Sequence, residues 1–213
     1  MRGQPPSVRT DYGIHWTERA FADGNVLAVA VDLASPAIVY ASTSAGSPAS
    51  GLTGGLFKSL DGGQTWVELS GGLGENARGN VWSIVIAPSQ PSMLYIAAGA
   101  PGFVYASDDG GSTWRGGAEN ASAVGVDPSN PSRVYATWSP LIKVSTDGGR
   151  SWRTTAGAPM DRRRFGPIVT DRMPSSLVYV GYESGVARSR DAGESWEFIH
   201  LFEAEGAVNL STD

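Results

Sequence analysis

An eight-residue phrase recurs five times along this chain of 213 residues, with Asp, Gly and Trp in fixed register. It reads SLDGGQTW from Ser59 to Trp66, SDDGGSTW from Ser107 to Trp114, STDGGRSW from Ser145 to Trp152 and SRDAGESW from Ser189 to Trp196. A worn copy, RTDYGIHW, runs from Arg9 to Trp16. The aspartates Asp11, Asp61, Asp109, Asp147 and Asp191 stand 50, 48, 38 and 44 residues apart. Periods of that size mark stacked or radial repeats.

The phrase is local turn chemistry. An Asp carboxylate accepts hydrogen bonds from backbone N–H groups just downstream, and Gly supplies the positive φ that a tight reversal needs. Trp, five residues after each Asp, opens the next apolar segment and has the surface to bury between neighbouring sheets. The residues given structural duty are therefore Ser59, Asp61, Gly63 and Trp66; Ser107, Asp109, Gly111 and Trp114; Ser145, Asp147, Gly149 and Trp152; Ser189, Asp191, Gly193 and Trp196; and, in the worn copy, Asp11 and Trp16.

A second pattern fills the intervals. Val26–Val31, Val81–Ile86, Ala123–Val126 and Pro167–Val169 are short β-prone runs, each followed by a turn and a segment ending in Tyr40, Tyr95, Tyr135 or Tyr179. Pro36, Pro91, Pro131 and Ser175 stand four residues before those tyrosines and place a hairpin turn there. A third strand, such as Gly55–Lys58 or Ile142–Val144, leads into the phrase. Four short strands per repeat with no helical periodicity predict an all-β propeller, small at about five blades or incomplete, rather than a sandwich or a solenoid.

The expected blades span about 24–70, 79–118, 121–156 and 165–201, as one domain over 1–213. Residues 7–20 and 206–213 supply three strands of a partial seam blade. Because a propeller must hide its edge strands, three arrangements remain open. The ring closes within one chain, the chain is part of a larger ring, or copies associate through unpaired edges.

Charge and composition narrow the partners. With 16 basic and 21 acidic side chains the net charge is −5, which repels a phosphate backbone, so nucleic acid is excluded as a partner. Zero cysteines exclude disulfides and thiolate metal sites. The chain as written has neither a signal peptide nor an apolar span long enough for a membrane helix. That predicts a cytoplasmic protein unless the chain is processed or excerpted.

The phrase Ser-x-Asp-x-Gly-x-(Thr/Ser)-Trp resembles the Asp-box, or BNR, repeat, over nearly the whole chain. The GLFKSLDGGQTW wording and the spacing resemble repeat proteins of the sortilin, photosystem II assembly factor and xyloglucanase-like groups; sialidases carry the same box. The departures are Ala192 in place of Gly, and Arg9 and His15 in the first copy. The resemblance implies that the boxes lie on the turns between third and fourth strands, away from the ligand face. It also implies that Asp61, Asp109, Asp147 and Asp191 are structural rather than calcium ligands or paired acids. Ligands would then meet the opposite face. Its loops lead into each first strand (71–80, 116–122, 156–166 and 201–206) and join second to third strands (43–54, 99–102, 138–141 and 182–185).

On that face, Arg162, Arg163 and Arg164 beside Phe165 suit a carboxylate or an acidic sugar. Trp138, with Tyr182 and Glu183, offers an aromatic platform for a sugar or peptide, or a plug for the channel. A sialidase would need arginines from separate blades and a Tyr with a Glu behind it. Adjacent Tyr182 and Glu183 on a strand point to opposite faces instead. Carboxylates for a two-acid hydrolase exist in these loops as Glu75, Asp161, Glu183, Glu203 and Glu205. His15 and His200 form no pair, and no HExxH, GxSxG or phosphate loop is present. No residue is assigned as catalytic, and no metal or cofactor is expected. The reading is a non-catalytic propeller presenting loops to a protein or carbohydrate partner. The alternative is a glycoside hydrolase, or a fragment of one.

Overall fold

The computed structural model describes residues 25–44, 54–69, 71–138, 141–156, 165–171, 176–183 and 185–200, leaving aside the side chains of 75, 76 and 117–119. Within these residues the chain folds into four antiparallel sheets of four strands, each sheet in sequence order. Blade 1 holds β1 (Val26–Val31), β2 (Val39–Thr43), β3 (Leu56–Ser59) and β4 (Val67–Glu68). Blade 2, preceded by α1 (Glu75–Arg78), holds β5 (Val81–Ile86), β6 (Leu94–Ala98), β7 (Phe103–Ser107) and β8 (Arg115–Glu119). Blade 3 holds β9 (Ala123–Val126), β10 (Val134–Trp138), β11 (Leu141–Ser145) and β12 (Arg153–Thr154). Blade 4 holds β13 (Phe165–Thr170), β14 (Val178–Tyr182), β15 (Gly185–Ser189) and β16 (Glu197–His200). The protein is all-β in the form of a small or incomplete propeller. The worn turn copy with Asp11 and Trp16, and the expected seam of 7–20 with 206–213, lie outside the described residues.

Two local expectations are corrected. Each fourth strand begins one residue after the Trp rather than on it, and in two of the turns the indole bonds back to the turn itself. The Nε1 of Trp66 donates to Gly63 O at 3.2 Å and that of Trp152 to Gly149 O at 3.1 Å. The loop before β5 contains the single helical turn α1, closed by Ala77 and Arg78 N–H groups on Gly74 O.

The blades pack in chain order through their first strands, β1 on β5, β5 on β9 and β9 on β13, and no comparable contact joins β13 to β1 among the described residues. Strands β6 and β9 are buried along their whole length, because each has a neighbouring blade on both sides. Apolar clusters fill the spaces between blades: Tyr40, Leu56 and Ile96 between the first two, Tyr95, Val104 and Val134 between the second and third, and Tyr135, Ile142 and Val180 between the last two. The approach of blade 4 to blade 3 requires Gly125. A Cβ there would sit 2.6 Å from Ile168 Cγ2, well inside van der Waals contact. No helix among the described residues is long and apolar enough to cross a membrane.

Candidate functional site

The two ends of the blades carry different chemistry. At one end lie the repeated turns, and each is a closed hydrogen-bond unit. In the first, the Ser59 hydroxyl donates to Asp61 Oδ1 at 2.7 Å and accepts from Gly63 N–H at 2.8 Å. Asp61 Oδ1 also accepts from Thr65 N–H at 2.8 Å, and Oδ2 accepts from the Thr65 hydroxyl at 2.6 Å. The same contacts recur from Ser107, Asp109 and Thr113, from Ser145, Asp147 and Ser151, and from Ser189, Asp191 and Ser195. Small hydroxylated residues are required at both positions because each must donate to a carboxylate oxygen while a backbone N–H is satisfied nearby.

These bonds favour the charged carboxylate. The hydroxyl and N–H of Thr65 hold Asp61 well below the usual carboxylate range, and those of Ser151 do the same for Asp147. Asp109 falls to about 2 through the hydroxyl and N–H of Thr113. At Asp191 burial is the largest single effect and pushes upward, but the hydroxyl and N–H of Ser195 with the Ser189 hydroxyl together outweigh it, leaving about 2. Carboxylates held this way are poor proton donors at neutral pH, since a general acid needs a raised pKa.

The same end contains aspartates that the sequence reading passed over. Asp32 and Asp127, each just after a first strand, are buried and cap the next turn. Asp32 Oδ1 accepts from Ala34 and Ser35 N–H, and Asp127 Oδ1 from Ser129 and Asn130 N–H. The wordings VDLASP and VDPSNP were the available signal.

The opposite end gathers the starts of first strands and the connections between second and third strands. In β1, β5 and β13 the pairing register slips at this end, beside Leu27, Trp82 and Pro167. Such bulges re-aim side chains out of the regular pleat. Trp82 is thereby 38% exposed. Sequence reasoning absorbed it into the VWSIVI strand. Its position outside any turn copy was the missed signal. Trp138, at the end of β10, is half-buried with Lys143 Nζ 3.6 Å from its ring centroid, a cation–π contact.

The other expected residues fall as follows. Tyr182 is buried in the blade 3–4 core; its hydroxyl donates to Ile199 O at 3.2 Å, and its ring meets Phe198 and His200 edge-on. It is therefore a packing residue rather than a free platform. Glu183, the next residue, is exposed. Phe165 is buried in the same core. Arg162, Arg163, Arg164, Asp161, Glu203 and Glu205 lie outside the described residues, as does the Glu75 side chain. Trp82, Trp138, Glu183 and His200 thus share one end of the molecule. Among the described residues no cluster of three or more His, Asp or Glu side chains is placed to hold a metal ion.

No family model matches the chain. An oligoxyloglucan-reducing end-specific xyloglucanase of Emericella nidulans is 28% identical over 160 residues, 63% of this chain and 20% of that protein. The crystal structure of the GH74 xyloglucanase from Xanthomonas campestris matches with a TM-score of 0.68 at 20% identity, over 85% of this chain and 31% of that one. YCF48 from Cyanidioschyzon merolae matches with a TM-score of 0.54 at 14% identity, over 87% of this chain and 59% of that one. The chain therefore spans about a fifth of the curated xyloglucanase and about a third of the solved one. Its structural neighbours are propeller proteins, both xyloglucanases and YCF48, and at these identities the likeness is one of fold.

Proposed function

We propose that this chain is an Asp-box propeller that binds a carbohydrate or protein partner, without turnover, through the strand ends and loops opposite its turns. The observation that carries the reading is the division of labour between the two ends. Each repeated turn aspartate in the described residues is committed to its own turn. The aromatic surface without such a duty, Trp82 and Trp138, stands at the other end. Flat aromatic faces beside cations suit the apolar faces of sugar rings and the side chains of peptides. The xyloglucanase relatives favour carbohydrate as the first ligand class to test.

Calorimetric titration of the folded chain with oligoxyloglucans is the direct measurement. Binding is expected, weakened roughly tenfold by Trp82→Ala or Trp138→Ala, the loss of one aromatic contact. No heat with any oligosaccharide would remove the carbohydrate half of the proposal. A panel of extended peptides then tests the protein half. The second reading, a glycoside hydrolase or a piece of one, is favoured by the 28% identity to a xyloglucanase. Release of reducing ends from xyloglucan, abolished by Glu183→Gln or Asp161→Asn, would replace binding by catalysis.

A further inference from the structure

Three of the first strands are led into by the same residue. Asn25, Asn80 and Asn120 each stand fifteen residues before the tyrosine of their second strand, Tyr40, Tyr95 and Tyr135, although the intervals between turns differ. Asn25 and Asn80 immediately precede β1 and β5, and Asn120 stands three residues before β9, all at the end of the blades opposite the turns. Because β1 packs on β5 and β5 on β9, the three asparagines follow one another along the row of first strands. In blade 4 that place is Arg164, outside the described residues.

The main chain fixes these positions by its own bonds. Asn25 O accepts from Ser44 N–H at 2.8 Å and Asn80 O from Gly99 N–H at 3.0 Å, tying each strand start to the connection between second and third strands. Beside Asn120, Ala121 N–H donates to Gly102 O at 3.3 Å and Ser122 N–H to Thr137 O at 2.9 Å. A left-handed backbone explains asparagine at position 120, where φ is 63°, but not at position 80, where φ is not positive. Strands disfavour Asn as well. All three residues are exposed. What they share is a carboxamide carried to the surface by a pinned backbone.

Two positions on from each asparagine stand Leu27, Trp82 and Ser122, exposed as well, the first two at the register slips. None of these side chains is ionisable. A carboxamide offers an acceptor and two donors, the complement of vicinal hydroxyls, and an exposed indole covers the apolar face of a sugar ring. We propose that Asn25, Asn80 and Asn120, with Trp82, form a subsite for a neutral oligosaccharide laid across the strand starts of blades 1 to 3. This rests on the carbohydrate half of the function proposed above and narrows it in two respects. The ligand brings hydroxyls rather than carboxylates to this site, and it is an oligomer. Packed sheets lie roughly 10 Å apart, so three consecutive strand starts span up to roughly 20 Å, longer than one sugar ring.

Heteronuclear NMR of the isotope-labelled full chain tests this through the side-chain amide signals of the three asparagines. They are assigned by their loss in Asn25→Ala, Asn80→Ala and Asn120→Gly, the last of which keeps the left-handed backbone. Titration with xyloglucan oligosaccharides is expected to shift all three signals. Asn25→Ala and Asn80→Ala are each expected to weaken binding about three- to tenfold, the worth of one hydrogen bond. Since the substituted positions are exposed, unchanged melting of the variants separates a lost contact from a lost fold. Binding that Trp82→Ala weakens, with the three signals still and the Asn variants unaffected, overturns this subsite and leaves the proposed function standing. Tighter binding of oligogalacturonides than of the neutral sugars refutes the neutral class. Failure of every saccharide to bind overturns the subsite together with the carbohydrate reading, and signals that move only with extended peptides would assign these strand starts to a protein partner instead.

Discussion

The interface between blades 3 and 4 and the outward face of blade 4 are made from the same repeated residues, yet they are packed very differently. Tyr135 is fully buried, its ring against Gly193 of the next turn, while its counterpart Tyr179 is half-buried. Gly125 lies under Ile168, while Val169 at the matching register is exposed. Side-chain identity does not separate the two tyrosines. Burial comes from having a following blade, so the value of a repeated residue depends on its place in the row.

The largest test of that contrast is Tyr135→Ala, expected to cost about 3–5 kcal/mol in urea unfolding, as removal of a buried ring does. Tyr179→Ala serves as its partner. Its ring is only half-buried, so its cost is expected to be clearly smaller than that of Tyr135→Ala. Next comes Gly125→Val, expected to lose about 1–3 kcal/mol through overpacking on Ile168. Val169→Ala should be smaller than that. Ser189→Ala, which removes the buried acceptor of Gly193 N–H, is expected to cost about 1–3 kcal/mol in the same assay.

The smallest effect is that of pH. Asp109 and Asp191 drop from 3.8 in the unfolded reference to about 2 in the fold. A depressed carboxylate binds its proton more weakly when folded, so its contribution is complete above about pH 4 and is lost as pH falls toward 2. Melting temperature should be flat from neutral to mildly acidic pH and should fall within that window. Asp109→Asn and Asp191→Asn should lower the plateau and flatten the decline. A melting profile with its main transition near pH 6 would contradict this.

Much of the fold was readable before any coordinates. In the four described turns the residue after the Asp and the Gly that follows it adopt positive φ, from 58° at Ala192 to 92° at Gly111, because local sterics leave few alternatives. First strands fell where β-branched runs placed them; β13 proved longer than the expected 167–169 because Phe165 pairs with Tyr182 beyond a register slip and Thr170 pairs with Val178. The candidate site was much less legible. Tyr182 looked available because it sits at a strand end beside Glu183, but the neighbouring blade and the Ile199 carbonyl claim it. Trp82 looked like an ordinary strand residue, and a register slip that no composition signals turned it outward.

What the amino-acid order decided alone was of short range: the closed turns, the placing of the strands between them and the number of copies. Each turn satisfies its own donors within five residues, so it forms wherever those residues occur. What tertiary structure decided was the use of the repeated side chains. Tyr40, Tyr95, Tyr135 and Tyr179 are equivalent in sequence. Whether each is a buried key or a half-exposed ring is set by a blade more than thirty residues away, because burial is a property of neighbours in space.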